Sequence, residues 1–342
     1  MAKEQVVEMM GQPPAGEGHT SLQALQVAFG ERVQQQATLA RYTAARVGGP
    51  ADILLEVNSA NELAKAASLL WRLDEPFMVL GGGSNVLVSD AGVRGIVLIN
   101  RARRVRFDEL GPLPTVWAES GANFGLVARQ AAKRGLGGLA WAAGIPGTVG
   151  GAVVGNAGAH GGDVAGNLLL AEILHRTRVP RNGELVWEAV RSQWAQEKFE
   201  FSYRSSALKR SQKNEKGQPP AVVLAALFRL EWSNAEKVQA RIHQWIEFRR
   251  RAQPPGASMG SMFKNPPGDF AGRLIEAAGL KGVSVGGAEI SSLHANFFIN
   301  QGQAKAAHVY QLIRMAQQQV KEKFDVDLEL EIELIGDWDV RD

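Results

Sequence analysis

The run from Gly144 to Gly162, G-I-P-G-T-V-G-G-A-V-V-G-N-A-G-A-H-G-G, is dense in glycine and carries no charge before Asp163. Glycine loses more conformational freedom on folding than any other residue, so such a run needs a compensating reason to be ordered. Backbone N–H groups that must come closer to an anion than a Cβ would allow supply one. A flexible linker is the competing reading, but linkers carry Ser and charge rather than Ile145, Pro146, Val149, Val153 and Val154. The composition therefore predicts a cradle for a ligand with phosphates.

A second glycine turn lies upstream, where Phe77-Met-Val-Leu80 runs into Gly81, Gly82, Gly83, Ser84 and Asn85, with Val86-Leu-Val88 beyond. It begins like a dinucleotide fingerprint and then departs from it. The third glycine of G-x-G-x-x-G would fall at Val86, and the next segment reads as strand rather than helix. The pattern predicts strand, tight turn, strand. Two anion-friendly loops that are neither Rossmann nor P-loop point to a diphosphate cofactor held by another fold.

Other candidate residues are harder to separate from their surroundings. Arg204 comes after Phe199-Glu-Phe-Ser-Tyr203, and an arginine in a loop is commonly a surface ion pair. Ser261 stands between Gly260 and Met262, where a turn residue is expected. Asp327, Glu329, Glu331 and Glu333 alternate along Val326–Leu334, the polar face of a half-buried strand. Periodicity does not choose among the four. His160 and His294 are read as hydrogen-bonding spectators.

The elements that must position these groups can be read in outline. Helical periodicity covers Ser21 toward Gln35, Ala60–Leu73, Phe124–Arg134, Ala235–Arg251, Ala271–Ala278 and Gln303–Phe324. Strands are expected at Thr115–Glu119, Leu168–His175, Glu184–Trp187 and Ala221–Trp232. The class is α+β. Four segments are expected: a partly disordered N-terminal extension (1–36), two cofactor-side α/β domains (37–104 and 105–233), and a third α/β domain (234–342). Residues 209–220 read as a charged, Gly/Pro-containing insertion.

The totals exclude some classes. In 342 residues the formal net charge is +3, too small for a nucleic-acid binder, and the basic clusters are not interleaved with aromatics. With no cysteine there is no disulfide, thiolate metal site or thiol nucleophile, and no metal centre is expected. No apolar run reaches membrane-spanning length, and the N-terminus is interrupted by Glu4 and Glu8, unlike a signal peptide. A cytoplasmic monomer acting on a small molecule, without nucleic acid or membrane insertion, is the expectation.

Taken in order, R-Y-T-A-A-R-V-G-G-P-A-D, L-G-G-G-S-N-V-L-V, A-G-I-P-G-T-V-G-G-A-V, N-A-G-A-H-G, F-S-Y-R-S-S, G-S-M-F-K-N-P and L-E-L-E-I strongly resemble the UDP-N-acetylenolpyruvoylglucosamine reductase (MurB) family from about Arg41 to Gly336. The resemblance implies a three-domain FAD-binding fold of the vanillyl-alcohol-oxidase (PCMH-like) group, with two FAD-binding domains and a substrate-binding domain. It implies noncovalent FAD and NADPH as electron donor. The activity implied is reduction of the enolpyruvyl ether of UDP-N-acetylglucosamine for peptidoglycan, with hydride from flavin N5 to the terminal CH₂ and a proton to C2. Carried over residue by residue, cofactor contacts fall on Gly81, Gly82, Gly83, Ser84, Asn85, Gly144, Ile145, Pro146, Gly147, Thr148, Gly150, Gly151, Asn156 and Gly158. Catalytic roles fall on Arg204, Ser261 as proton donor, and Glu331. Weaker substrate contacts fall on Tyr203, Lys264, Asn265 and Asn296.

The chain departs from the family pattern at Ala140, where an acidic residue is usual, and at Glu333, where E-V-R is usual. The short span between Arg204 and Ser261 resembles the subtype lacking the substrate-closing tyrosine loop. Two other readings compete. One is a flavin oxidase of the same fold; Ser84 where a linking histidine would stand, and the missing cysteine, argue against a covalent one. The other is a non-catalytic nucleotide-sugar binding protein.

Overall fold

The computed structural model describes residues 5–6, 21–181, 184–211 and 217–338. Half of the expected N-terminal extension and the centre of the expected insertion lie outside those residues. The chain divides into two compact units rather than consecutive domains. One comprises Met1–Gln35, Ile53–Gly81 and Gly95–Ile242; the other comprises Gln36–Asp52, Gly82–Arg94 and His243–Asp342. The expected 37–104 domain is thus shared between them. The chain changes unit inside two continuous strands, Pro50–Val57 and Val93–Asn100, where no linker composition could announce a boundary.

The first unit is built on an antiparallel sheet in the order Gln5–Val6, Glu184–Ala195, Leu168–Arg181, Ala221–Arg229, Thr115–Glu119, Val105–Asp108. Gln5 and Val6, in the expected extension, pair with Arg191 and Val190. Strands Leu168–Arg181 and Glu184–Ala195 outrun the expected Leu168–His175 and Glu184–Trp187 and form one long hairpin. Helix Ala60–Arg72 begins where Ser59 accepts from the Glu62 N–H, and the buried Glu119 carboxylate accepts the Ala60 N–H. Its apolar face, with Leu63, Ala66, Ala67 and Leu70, packs with Leu55, Leu98, Leu174 and Leu224 in one core. Each fully buried leucine contributes roughly 1.5–3 kcal/mol.

In the second unit a four-stranded antiparallel sheet runs Ala257–Ser261, Phe297–Asn300, Ala288–Ile290, Ser284–Val285. Helices Ala271–Ala277 and Ala306–Phe324 share its core, which includes Met262, Phe263, Leu274, Phe298, Leu312 and Ile313. The Val326–Leu334 segment is not one strand: only Glu333–Ile335 is, paired parallel with Val86–Val88. Upstream of it, Leu330 makes an isolated bridge to Phe263. The glycine turn at 81–85 is flanked by strands as expected, but they do not pair with each other. Phe77–Leu80 pairs with Ile96–Ile99, also parallel.

Candidate active site

The Gly144–Gly162 run folds as a short 3₁₀ turn (Ala140–Gly144), a seven-residue helix (Val149–Gly155) and a hairpin in which Gly158 and Ala159 pair with Asp163 and Gly162. It is ordered, as a ligand cradle must be, but not every glycine serves a ligand. The Gly150 N–H donates to the Ser120 carbonyl at 2.7 Å, and a Cβ on Gly150 would lie 2.9 Å from Ser120 Cβ. That glycine is dictated by the protein's own packing. Gly151 differs: within 4 Å its Cβ would meet only Thr148 Oγ1, at 3.8 Å. A Cβ on Gly81 would lie 2.3 Å from Thr148 Oγ1, so the two glycine loops meet in the first unit.

Bare backbone and the hydroxyl of Thr148, with no carboxylate before Asp163, form a surface suited to the diphosphate of FAD. The residues present fit the group. Asn85, on the second unit's side of the upstream turn, spends its side chain differently from expectation. Its Nδ2 donates to the Glu331 carbonyl at 3.0 Å, and its own carbonyl accepts from Glu333 N–H at 2.9 Å.

Asn156 is another expected cofactor contact. It caps the Val149–Gly155 helix in the left-handed conformation (φ 43°) and is 5% exposed. Its Nδ2 donates to the Ser202 carbonyl at 3.0 Å and to Asp163 Oδ2 at 3.3 Å, while its Oδ1 accepts from Ala165 N–H at 3.0 Å. The amide is engaged at both ends by the protein itself.

Arg204 stands at the tip of a tight turn and is half-buried. Its Nη1 donates to the Gly158 carbonyl at 3.0 Å, and its guanidinium lies 5.6 Å from the Tyr203 ring centroid. Its φ of 53° is left-handed, which for a residue with a Cβ costs roughly 1–2 kcal/mol. Tyr203 beside it is 59% exposed.

In the second unit the backbone segments that carry Ser261 and Glu331 run side by side. Ser261 ends its strand after a register shift between Ser258 and Ser261, with Gly260 at φ 78°; such an irregularity re-aims a side chain. The next residue, Met262, accepts the Glu331 N–H on its carbonyl at 2.9 Å and donates its own N–H to Asn296 O at 2.8 Å. The four acids of the alternating segment differ in exposure. Glu331 alone of the four acids is half-buried; Asp327 and Glu329 are exposed and pair with Lys321 and Lys264, and Glu333 is exposed. The Lys264 ammonium holds the Glu329 carboxyl below its usual range through their hydrogen bond.

Of the remaining expected substrate contacts, two serve the backbone. Asn265 Oδ1 accepts the Ala271 N–H at 3.1 Å. Asn296, 3% exposed, accepts the Phe263 N–H at 2.9 Å and donates to the Phe263 carbonyl at 2.8 Å. The Asn296 amide bonds to backbone 33 residues away, and no local signal marks it. His294 Nδ1 accepts the Asn296 N–H at 3.2 Å, and burial pushes its pKa down. That is the behaviour of a neutral acceptor.

Residues 51–187 match the FAD binding domain family, and residues 252–335 match the family described as UDP-N-acetylenolpyruvoylglucosamine reductase, C-terminal domain. The UDP-N-acetylenolpyruvoylglucosamine reductase of Chloroflexus aggregans is 43% identical over 297 residues, 87% of this chain and 95% of that one. That of Bacillus subtilis is 37% identical over 308 residues, 89% of this chain and 94% of its own. The crystal structure of UDP-N-acetylenolpyruvylglucosamine reductase from Thermus caldophilus superposes with a TM-score of 0.70 at 36% identity, over 89% of this chain and 99% of that one. The chain therefore belongs to the UDP-N-acetylenolpyruvoylglucosamine reductase family.

Proposed function

We propose that this chain reduces the enolpyruvyl ether of UDP-N-acetylglucosamine to UDP-N-acetylmuramate, with NADPH as electron donor, in the assembly of peptidoglycan. One observation carries the reading at the site. In a chain 43% identical to a reductase of this name, a backbone bond joins Glu331, a half-buried residue, to Met262, the neighbour of Ser261, and this supports the reading. FAD, held by the loops 81–85 and 144–151, supplies when bound the hydride that adds to the terminal CH₂ of the substrate.

What this chain must manage is the charge left behind. Hydride addition leaves a carbanion next to the substrate carboxylate, delocalised as a dianionic enolate, and such charge requires a fixed cation and an acid. Arg204 takes the carboxylate, since a planar guanidinium matches two oxygens in a way an ammonium does not. Ser261 gives its proton to C2, breaking its O–H bond as the C–H bond forms, and recovers a proton from solvent. A hydroxyl is so weak an acid that only a strongly basic carbanion takes its proton, which confines the transfer to the step after hydride addition. Glu331 stabilises the enol with Arg204. Tyr203 and Lys264 remain substrate contacts in this reading, while Asn265 and Asn296 hold the backbone. Among the described residues no helix is long and apolar enough to cross a membrane. A cytoplasmic monomer is part of the proposal.

The test is one absorbance spectrum of the purified protein before and after NADPH, with the enolpyruvyl substrate added last. A flavin spectrum that NADPH bleaches and the substrate restores is expected. A colourless protein that takes up no FAD, or a flavin that only oxygen and an alcohol turn over, overturns the reading.

A further inference from the structure

The chemistry given to Arg204 requires its guanidinium to be held still, and a chain of contacts outside the reacting groups does this. Ser202 and Ser205 exchange backbone hydrogen bonds, each 3.1 Å, leaving Tyr203 and Arg204 at the tip of the turn. The turn belongs to none of the sheets among the described residues. A left-handed arginine persists only where its surroundings over-determine it. Two buried side chains do so. Asn156 reaches the Ser202 carbonyl on one side of the turn. On the other side Ser206, 0% exposed, donates its hydroxyl to the Val154 carbonyl at 2.6 Å and accepts the Lys209 N–H at 3.2 Å. Val154 and Asn156 both belong to the C-terminal end of the glycine helix.

Asn156 also grips the surface on which Arg204 rests. Its second amide hydrogen goes to Asp163 Oδ2, and Asp163 pairs across the hairpin with Gly158, whose carbonyl accepts from Arg204. Asp163 is fixed in turn, because its Oδ1 caps the adjoining helix at Gly166 N–H, 3.0 Å. The side chain at position 156 must offer two donors and one acceptor in a short, planar group and tolerate φ near 43°. Asparagine meets all of these conditions. Aspartate would lose both donors and face Asp163 with like charge.

We infer that Asn156 is a positioning residue for Arg204, with Ser206 as a second anchor. The amide and the hydroxyl lock the 202–205 turn to the glycine helix, so that the guanidinium that meets the substrate and the cofactor's cradle move as one body. This role rests on the proposed function of Arg204 as the carboxylate's partner.

The experiment is a double-mutant cycle in the full-length FAD-loaded protein, combining Asn156→Ala with Arg204→Lys. FAD content, melting temperature, KM, and the rates of flavin reduction by NADPH and of reoxidation by substrate are read separately. Asn156→Ala is expected to keep its FAD and its rate of reduction by NADPH while slowing reoxidation by roughly 10²-fold, the cost of a misplacement of about 1 Å. In the Arg204→Lys background the same substitution should add less than about 2-fold, because both act through one guanidinium. Equal slowing in both backgrounds, or loss of FAD with slowed reduction by NADPH, overturns the inference by giving Asn156 to the fold or the cofactor. Wild-type turnover by Arg204→Lys alone overturns the assignment of Arg204 and the inference with it. Ser206→Ala, which cuts the second anchor together with the Lys209 cap and leaves Asn156 in place, carries the same cycle if Asn156→Ala does not fold.

Discussion

The segments carrying Arg204 and Ser261, the proposed cation and the proposed acid, are each braced by a buried asparagine, and the two mountings differ. The Asn296 side chain grips a single residue, Phe263, through both its N–H and its carbonyl, so it behaves like one more rung beside a sheet. The Ser261 segment it serves has other supports: the ladder to Phe297, the Phe263–Leu330 bridge, and the bonds from Glu331 N–H to Met262 O and from Lys264 N–H to Glu329 O. Asn156 instead joins separate stretches, at Ser202, Asp163 and Ala165, and among the described residues the turn it serves belongs to no sheet. A hydroxyl that gives up one proton needs to be near its carbon. A guanidinium that must match two carboxylate oxygens needs a fixed plane as well. The more demanding group has the less redundant mount, which makes the Arg204 side the more fragile to a single polar truncation.

The largest effect should come from removing the acid itself. Ser261→Ala is expected to leave flavin reduction by NADPH intact and slow reoxidation by substrate by roughly 10²–10⁴-fold, the usual contribution of a positioned proton donor. Stopped-flow absorbance on each half-reaction checks this. Equal losses in both halves would take Ser261 out of the role and remove one side of the comparison.

Asn296→Ala should separate stability from rate. It strands a buried N–H and a buried carbonyl of Phe263, each costing about 1–3 kcal/mol when unsatisfied. Denaturant unfolding should report that loss, while reoxidation by substrate slows less than in Asn156→Ala. If the Asn296 variant is the slower of the two, ladder redundancy does not protect Ser261 and the contrast fails.

A smaller effect on the same unit comes from Asp90. Its two carboxylate oxygens accept the N–H groups of Ala306 and Ala307, both at 2.9 Å, and so cap the Ala306–Phe324 helix from a loop far away in sequence. Asp90→Ala should cost about 1 kcal/mol in denaturant unfolding. Turnover at saturating substrate should stay near that of the wild type. A large rate loss without a stability loss would show that this helix start belongs to the site.

Much of this arrangement is legible along the chain wherever the cause is local. Helical spacing at Leu63, Ala66, Ala67 and Leu70 predicts Ala60–Leu73, and the helix runs Ala60–Arg72. The alternation of Val326–Leu334 misleads, because alternation describes which residues are buried and not whether a ladder partner exists. Only Glu333–Ile335 finds one, against Val86–Val88. The same segment shows why Glu331 could not be chosen from its neighbours: what distinguishes it is its place beside Met262, fixed by a residue about 70 positions away. Family pattern singles out Asn156 as a cofactor contact, whereas its side chain is spent on Ser202, Asp163 and Ala165. No composition or spacing announces those bonds.

The last and smallest prediction uses pH to probe the Ser261 mount without cutting it. His294 Nδ1 accepts the N–H of Asn296, the residue that clamps Phe263, and a protonated ring has no lone pair there to accept it. Burial lowers the folded-state pKa of His294, and the positive charge of Lys281 adds to the shift while Glu276 opposes it. The unfolded chain then binds the proton more readily than the folded one. His294 therefore contributes stability in full above its ordinary pKa of about 6.5, and that contribution is lost as pH falls from there toward the lower folded value. Melting temperature should accordingly fall more steeply on acidification below pH ~6.5 in the wild type than in His294→Asn, whose Oδ1 can accept the same N–H without titrating. Parallel curves would mean that the ring does not report on the Asn296 clamp. A steeper wild-type curve with unchanged reoxidation kinetics at each pH would show that the second unit's mount absorbs a weakened contact, as its redundancy requires.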